Sequence, residues 1–305
     1  RCYVFRYSPS VIAQRISSRF ESVIKGGVAC GVVPFDWGAA RNHRAMLAGS
    51  CSNPPTSFSE KVRHKLVYDR RPILKIYADK IAVRDYVRAI CPAVKLPHML
   101  GTFATADSAV AGTPRGPWAM KASHGSSMVL ICRESNLSTL RDVRRKANEW
   151  LTTDYGLRYW EWQYFSLPKR VMFEEYLGDE AGVPADYKFY VMHQKVRFIE
   201  VDQGRFTHHT RDIFFPDWTP LPSRVGSAPV ADRLPSPPPR LEQMIEIAET
   251  LARDSDFLRV DLYAVRGSVY FGELTHSPAA GNFGFADPQL DRQLGSDWQV
   301  PSRYR

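Results

Sequence analysis

Arg259-Val-Asp-Leu-Tyr-Ala-Val-Arg-Gly-Ser-Val-Tyr-Phe-Gly-Glu-Leu-Thr275 is the stretch on which the fold turns. Residues 258–265 and 268–274 read as two strands of a hairpin around Arg266-Gly267. Asp261 lies five residues before Arg266, and Glu273 six after Gly267. Antiparallel pairing therefore brings the two carboxylates near each other on one face. Adjacent carboxylates repel unless a cation sits between them. Mg²⁺ takes one or two carboxylates together with phosphate oxygens and water, so the pair fits a magnesium–nucleotide site. Two solvent-facing acids on an amphipathic hairpin are the plainer reading of the same residues.

The segments before this hairpin supply further candidates. Residues 118–122 form a short apolar strand carrying Lys121, and 128–132 a second one. The tip between them is His124-Gly125-Ser126-Ser127. A lysine there can reach phosphates while the backbone N–H groups of the tip cradle them, or it is a surface charge. Neither a Walker A loop nor GxGxxG is present. Residues 170–177 form a strand ending in Glu174-Glu175-Tyr-Leu177, followed by Gly178-Asp179-Glu180. Such an end can offer backbone groups to an adenine edge and a carboxylate to ribose, or is a plain strand end. Residues 186–192 and 196–201 are further strands. Arg205-Phe-Thr-His208-His209-Thr-Arg211-Asp212 suits an anionic substrate through Arg205 and Arg211, or is ordinary loop composition. A His208-His209 metal pair is disfavoured, because neighbours on a strand point to opposite faces.

Helices are read from periodicity. Residues 11–24 carry a helical stripe that Gly26-Gly27 ends. Ser57 and Glu60 form a capping box ahead of a helix, and 79–90 is a second helix stopped by Pro92. Residues 137–152 and 241–251 are amphipathic helices. Residues 216–239 are a long loop, stiffest at Pro235–Pro239.

With 305 residues, 44% apolar and 24% charged, the composition is that of an ordinary globular chain. The length fits one large domain or two coupled ones. Five widely spaced cysteines without a CxxC argue against a zinc site or a disulfide framework and for reduced thiols. No apolar run of about 18 residues exists, so no transmembrane helix is expected. The net charge of +9 is dispersed, and nucleic acid is not the expected partner. The opening Arg1 leaves room for a preceding segment. Neither a serine triad nor a cysteine nucleophile finds support, since G-x-S-x-G is absent.

Taken in order, these residues resemble an ATP-grasp enzyme, and the wording resembles the TupA-like branch associated with teichuronopeptide and other surface-polymer biosynthesis. The likeness is carried by Tyr77-Ala-Asp-Lys-Ile-Ala-Val-Arg-Asp-Tyr-Val87, Met120-Lys-Ala-Ser-His-Gly-Ser126, Asp186-Tyr-Lys-Phe189, residues 205–211 and Phe271-Gly-Glu-Leu-Thr275. The resemblance implies an α+β ATP-grasp fold, two α+β subdomains gripping a nucleotide between antiparallel sheets. It implies a domain over residues 57–295, with a phosphate-loop subdomain near 115–175 and a metal-binding core at 176–295. Residues 1–56 are then an N-terminal extension and 296–305 a tail.

By the same resemblance, Lys80 and Lys121 match the lysines that contact ATP phosphates. His124, Gly125, Ser126 and Ser127 match the loop that closes over them, with serines in place of a more glycine-rich tip. Glu174, Glu175 and Leu177 match the adenine-gripping hinge, Asp179 or Glu180 the ribose contact, and Lys188 a further nucleotide contact. Asp261 and Glu273 match the Mg²⁺ ligands, and Thr275 stands where many members have Asn. Arg205, Arg211 and Arg259 are the candidates to hold a carboxylate and its acyl phosphate. The implied activity is ATP- and Mg²⁺-dependent ligation of a carboxylate, a uronic acid or a peptide, to an amine. A glycosyltransferase or sugar kinase, or a non-catalytic binder of nucleotide or anionic polymer, are the other readings. The expected location is the cytoplasm, with peripheral attachment to the inner membrane face left open, as is the oligomeric state.

Overall fold

A computed structural model of the chain describes residues 2–4, 18–48, 52–134, 136–179, 182–205, 207–221, 223–282 and 284–304. The chain divides into two units, one of residues 1–50 and 99–175, the other of 51–98 and 176–305. The first unit opens with β1 (Cys2–Val4), α1 (Ser18–Ala29) and α2 (Phe35–Leu47). The second then takes α3 (Phe58–Tyr68), α4 (Ile73–Ala78) and α5 (Val83–Ile90). The chain returns to the first for β2 (Met99–Phe103), α6 (Ala106–Ala111), β3 (Trp118–Ala122), β4 (Val129–Cys132), α7 (Leu137–Thr152), α8 (Tyr155–Tyr159) and β5 (Val171–Glu175). The second unit is completed by β6 (Asp186–Met192), β7 (Lys195–Gln203), β8 (Thr210–Phe214), α9 (Leu241–Leu251), β9 (Phe257–Val265), β10 (Ser268–Thr275) and α10 (Pro288–Ser296). Each unit sets helices against an antiparallel sheet, which is the α+β class expected.

In the first unit the sheet order is β1-β4-β3-β5-β2. Trp118, Met120, Leu130 and Phe173 alternate onto one face and pack with Ala109 of α6 and Val143, Ala147 and Trp150 of α7. Asn136 caps α7: its side chain accepts from the Thr139 N–H, and Thr139 returns a bond to the Asn136 N–H. A second cluster joins Val28, Phe35 and Ala39 to Leu157 and Trp160. Residues 18–48, expected as an extension, thus contribute two packed helices. The α1 helix also runs through Gly26-Gly27, where Cys30 N–H donates to the Gly26 carbonyl. Gly27 serves packing, since a Cβ there would lie 2.8 Å from Val33, whereas Gly26 faces open space. Residues 11–17 of the expected helix lie outside the described residues.

In the second unit the order is β10-β9-β6-β7-β8. Arg266 and Gly267 take φ of 48° and 70° in the two-residue turn joining β9 to β10, the conformation that hairpin twist requires. One face of this sheet is split lengthwise. Its apolar half, with Tyr190, Met192, Phe198 and Phe257, packs on Phe58 and Val62 of α3, Leu290 and Leu294 of α10, and Trp298. Trp298, in the expected tail, is fully buried, so it belongs to this core, with Val300 packed against it. The alternate side chains Phe189, Val191, Val201, Val260 and Leu262 are buried on the opposite face, and α9 packs on β6, β7 and β9.

The Ser57–Glu60 capping box is present at α3. The helix expected at 79–90 begins at Val83, because Asp79 Oδ1 accepts from the N–H groups of Ile81 and Ala82 and holds a turn there. Residues 215–240 contain neither helix nor strand among those described, and Trp218 Nε1 ties this loop to the Pro235 carbonyl at 3.0 Å. Cys30, Cys91 and Cys132 are free thiols. Among the described residues no helix is long and apolar enough to cross a membrane.

Candidate active site

The charged half of the second unit's sheet holds the candidate metal ligands together with Lys188, Arg211 and Arg259. Its register sets Glu273 of β10 opposite Asp261 of β9, Asp261 opposite Lys188 of β6, and Lys188 opposite Glu200 of β7. One further rung pairs Asp186 with Asp202 and Asp202 with Arg211 of β8. An undisturbed hairpin would place Gly272 opposite Asp261. A bulge between Phe271 and Glu273 absorbs one residue and delivers Glu273 there instead. Gly272 is the residue that permits it, since a Cβ would lie 2.9 Å from the Asp261 carbonyl oxygen.

Burying so many charges requires that they be paired. Lys188 is 4% exposed, and its ammonium lies 3.4 Å from Asp186 and 3.3 Å from Glu200 and contacts Asp202. Burial pulls the Lys188 amine down, but those three carboxylates together raise it. Asp202 is pushed up by burial and brought well below the carboxylate range by His209, Lys188 and Arg211. Tyr190 Oη, at the border with the apolar half, donates to Glu200 at 2.9 Å.

The three arginines expected to hold an anion each have a carboxylate already. Arg205 Nη1 donates to Asp186 at 2.7 Å. Arg211 Nε donates to Asp202 at 2.8 Å and lies 3.0 Å from Glu200. Arg259 donates twice to Asp261, both bonds at 2.7 Å. Half-buried guanidinium groups facing buried acids take such counter-charges before any substrate arrives. Burial pushes the Asp261 carboxyl up; Arg259 works against that rise and Asp186 adds to it.

Asp261 and Glu273 form a hard-oxygen pair. Thr275 Oγ1 donates to Glu273 at 3.0 Å, and Lys80 Nζ lies 3.8 Å from the other Glu273 oxygen. Asp186 Oδ1 is buried with no hydrogen-bond partner among the described residues. No cluster of three His, Cys, Asp or Glu capable of holding a metal occurs among them either. Two carboxylates short of a full cage suit Mg²⁺, which takes its other ligands from phosphate and water.

The first unit holds the other group. Lys121 on β3 contacts Glu174 on the adjacent β5, and Glu174 is buried. His124, expected in a mobile loop, is 2% exposed, with Nε2 3.0 Å from the Trp150 carbonyl. Gly125 is also buried, where a Cβ would lie 2.9 Å from Tyr155. Only Ser126 and Ser127 reach the surface, and Ser127 takes a φ of 59°. The division between the units falls after Glu175. In the second unit Leu177 is half-buried and Asp179 exposed, its backbone paired with Gly182; Glu180 lies outside the described residues.

Glu200, Asp202 and His209 were not singled out as site residues by the sequence reading. The signal was there: Phe198-Ile-Glu-Val-Asp202 alternates acids with apolar residues, which puts both acids on one face.

No curated protein matches the chain. Solved structures similar to it include D-alanine–D-alanine ligase from Helicobacter pylori (16% identity, TM-score 0.47, 74% of this chain and 62% of that one covered). The ATP-grasp ligase PsnB complexed with minimal precursor, Mg and ADP is also similar (12% identity, TM-score 0.42, 87% of this chain and 67% of that one). The chain spans less than two thirds of the D-alanine–D-alanine ligase. The family model described as TupA-like ATPgrasp matches residues 60–299. A match over most of the chain, taking in both the Lys121 hairpin and the Asp261–Glu273 pair, identifies it as a member of the TupA-like ATP-grasp family.

Proposed function

We propose that the chain is an ATP- and Mg²⁺-dependent carboxylate–amine ligase acting on a cell-surface polysaccharide or peptide precursor. The observation that carries this reading is the bulge that sets Glu273 opposite Asp261 in a member of this family. Asp261 and Glu273, with Thr275 beside them, would hold Mg²⁺, which supplies charge neutralisation for nucleotide phosphates when bound. Lys80, Lys121 and residues 124–127 bind phosphate groups. Glu174, Glu175 and Leu177 receive adenine, Asp179 or Glu180 ribose, and Lys188 steadies the acids around it. Arg205, Arg211 and Arg259 hold the carboxylate while it is carried as an acyl phosphate, which an amine then attacks. Catalysis is then mainly positioning and electrostatic stabilisation. An ATP-consuming step on a precursor fits a cytoplasmic site of action.

The test is a thermal-shift screen with nucleotide and Mg²⁺, followed by assays pairing amino acids with uronic-acid or peptide carboxylates. Release of ADP and phosphate with an amide product is expected. A phosphorylated product would instead make the chain a kinase, and turnover without ATP a glycosyltransferase. Glu273→Ala is expected to lose Mg²⁺-dependent turnover; full retention would refute the metal assignment.

A further inference from the structure

We propose that His209 is the base that takes the proton of the attacking amine and that Asp202 positions it, an inference that rests on the ligase reading. His209 Nε2 lies 2.9 Å from Asp202 Oδ1, and Arg211 Nε donates to the same oxygen at 2.8 Å. A carboxylate bonded there assigns the ring proton to Nε2 and leaves Nδ1 as the acceptor. The other oxygen of Asp202 is held by Lys188 and by Arg211 Nη2, the latter at 3.1 Å, so the carboxylate cannot turn away. The Asp202 side chain is 2% exposed and that of His209 32%. A buried carboxylate thus orients an imidazole that is partly exposed, the relation that activates bases elsewhere.

The carboxylate that holds the imidazole belongs to a larger cluster: Asp202 and Glu200 from β7, Asp186 and Lys188 from β6, Arg211 from β8, and Arg205 from the loop before it. Three acids meet three bases there, so Asp202 is fixed in place from several sides. The imidazole also shares Asp202 with Arg211, one of the arginines assigned to the acyl phosphate. In the step, the amine nitrogen attacks the acyl carbon and the C–N bond forms. The C–O bond to phosphate breaks, and its electron pair leaves with inorganic phosphate. One N–H proton passes to His209 Nδ1, and the imidazolium returns it to water.

The experiment compares wild type with His209→Gln, whose amide still donates to Asp202 but takes no proton. Two nucleophiles are used with the carboxylate that turns over in the wild type: an amino acid, and hydroxylamine, which reacts with acyl phosphates without a base. The amino-acid rate is expected to fall at least about 100-fold and the hydroxylamine rate less than about tenfold. The acidic limb of the amino-acid kcat/KM profile is lost as well. Equal losses with both nucleophiles, or none, overturn the inference. Nitrogen-15 NMR of the wild-type imidazole gives a second reading, since a proton on Nδ1 at neutral pH also overturns it. If the wild type turns over no carboxylate with either nucleophile, the ligase reading is refuted instead.

Discussion

Asp69→Asn tests how the second unit tolerates its buried charges away from the site. Asp69 is 1% exposed at the end of α3. It accepts from Lys65 Nζ at 2.8 Å, from Arg71 Nη2 at 2.7 Å and from the Arg71 N–H at 3.1 Å. Asp256 meets the same cations, with Lys65 donating at 2.5 Å. Burial pushes the Asp69 carboxyl up, but Arg71 and Lys65 bring it from 3.8 down to about 2. That difference amounts to roughly 2.5 kcal/mol of stabilisation for the charged form. The asparagine also leaves the fully buried Lys65 with one carboxylate, and breaking a buried pair costs about 3–5 kcal/mol. The two routes bracket a loss of about 2.5–5 kcal/mol, measured by urea denaturation at neutral pH. The pH dependence has a fixed sign. The folded value lies below the unfolded one, so the contribution is complete above about pH 5 and disappears as pH falls toward 2. Wild type and variant should therefore converge in acid. A loss under about 1 kcal/mol at neutral pH, or one that persists unchanged at pH 2, refutes the reasoning.

Two other substitutions probe the fold around the site. Gly272→Ala brings a Cβ to 2.9 Å from the Asp261 carbonyl oxygen and 3.0 Å from the Tyr263 ring, displacing the bulge that aims Glu273. Mg²⁺-dependent turnover should drop by on the order of 10–100-fold, and an unchanged rate would show that the bulge is not needed. Trp298→Ala empties a ring position 4.6 Å from Phe257 and removes the indole N–H that donates to Asp256 at 2.9 Å. It should cost about 3–5 kcal/mol in denaturation, with a loss below about 1 kcal/mol placing the residue outside the core.

The hairpin that bears Asp261 and Glu273 was legible because strand alternation and a two-residue turn are local properties. Its pairing was expected too, although the bulge that achieves it was not, since bulge position depends on the contacts of the partner strand. Strands β3 and β6 and helices α7 and α9 have the bounds read from their periodicity. Strands β2 and β8 escaped notice: β2 contains Gly101, and β8 follows a polar loop. The arginines were recognised, but their pairing with carboxylates was not: Arg259 takes Asp261 from its own strand, while Glu200 and Asp202 reach Arg211 and Lys188 through sheet register, which joins residues apart in sequence. The packing of α1 and α2 and of Trp298 was hidden for the same reason, because the partners of Phe35 and Trp298 are distant along the chain.

The chain passes between its two units three times, and this has a consequence for synthesis on the ribosome. Phe58 on α3 packs against Phe285 and Trp298, which emerge only after β2 to β5 of the other unit and the whole sheet of its own. At roughly 5–20 residues per second, that interval is about 10–50 s. Throughout it the apolar face of α3 has no C-terminal lid, while the contiguous β2–β5 segment is completed partway through. The nascent chain should therefore engage a chaperone through residues 58–66 until Trp298 has been made. Arrested nascent chains ending before and after that residue would differ in protease resistance at α3.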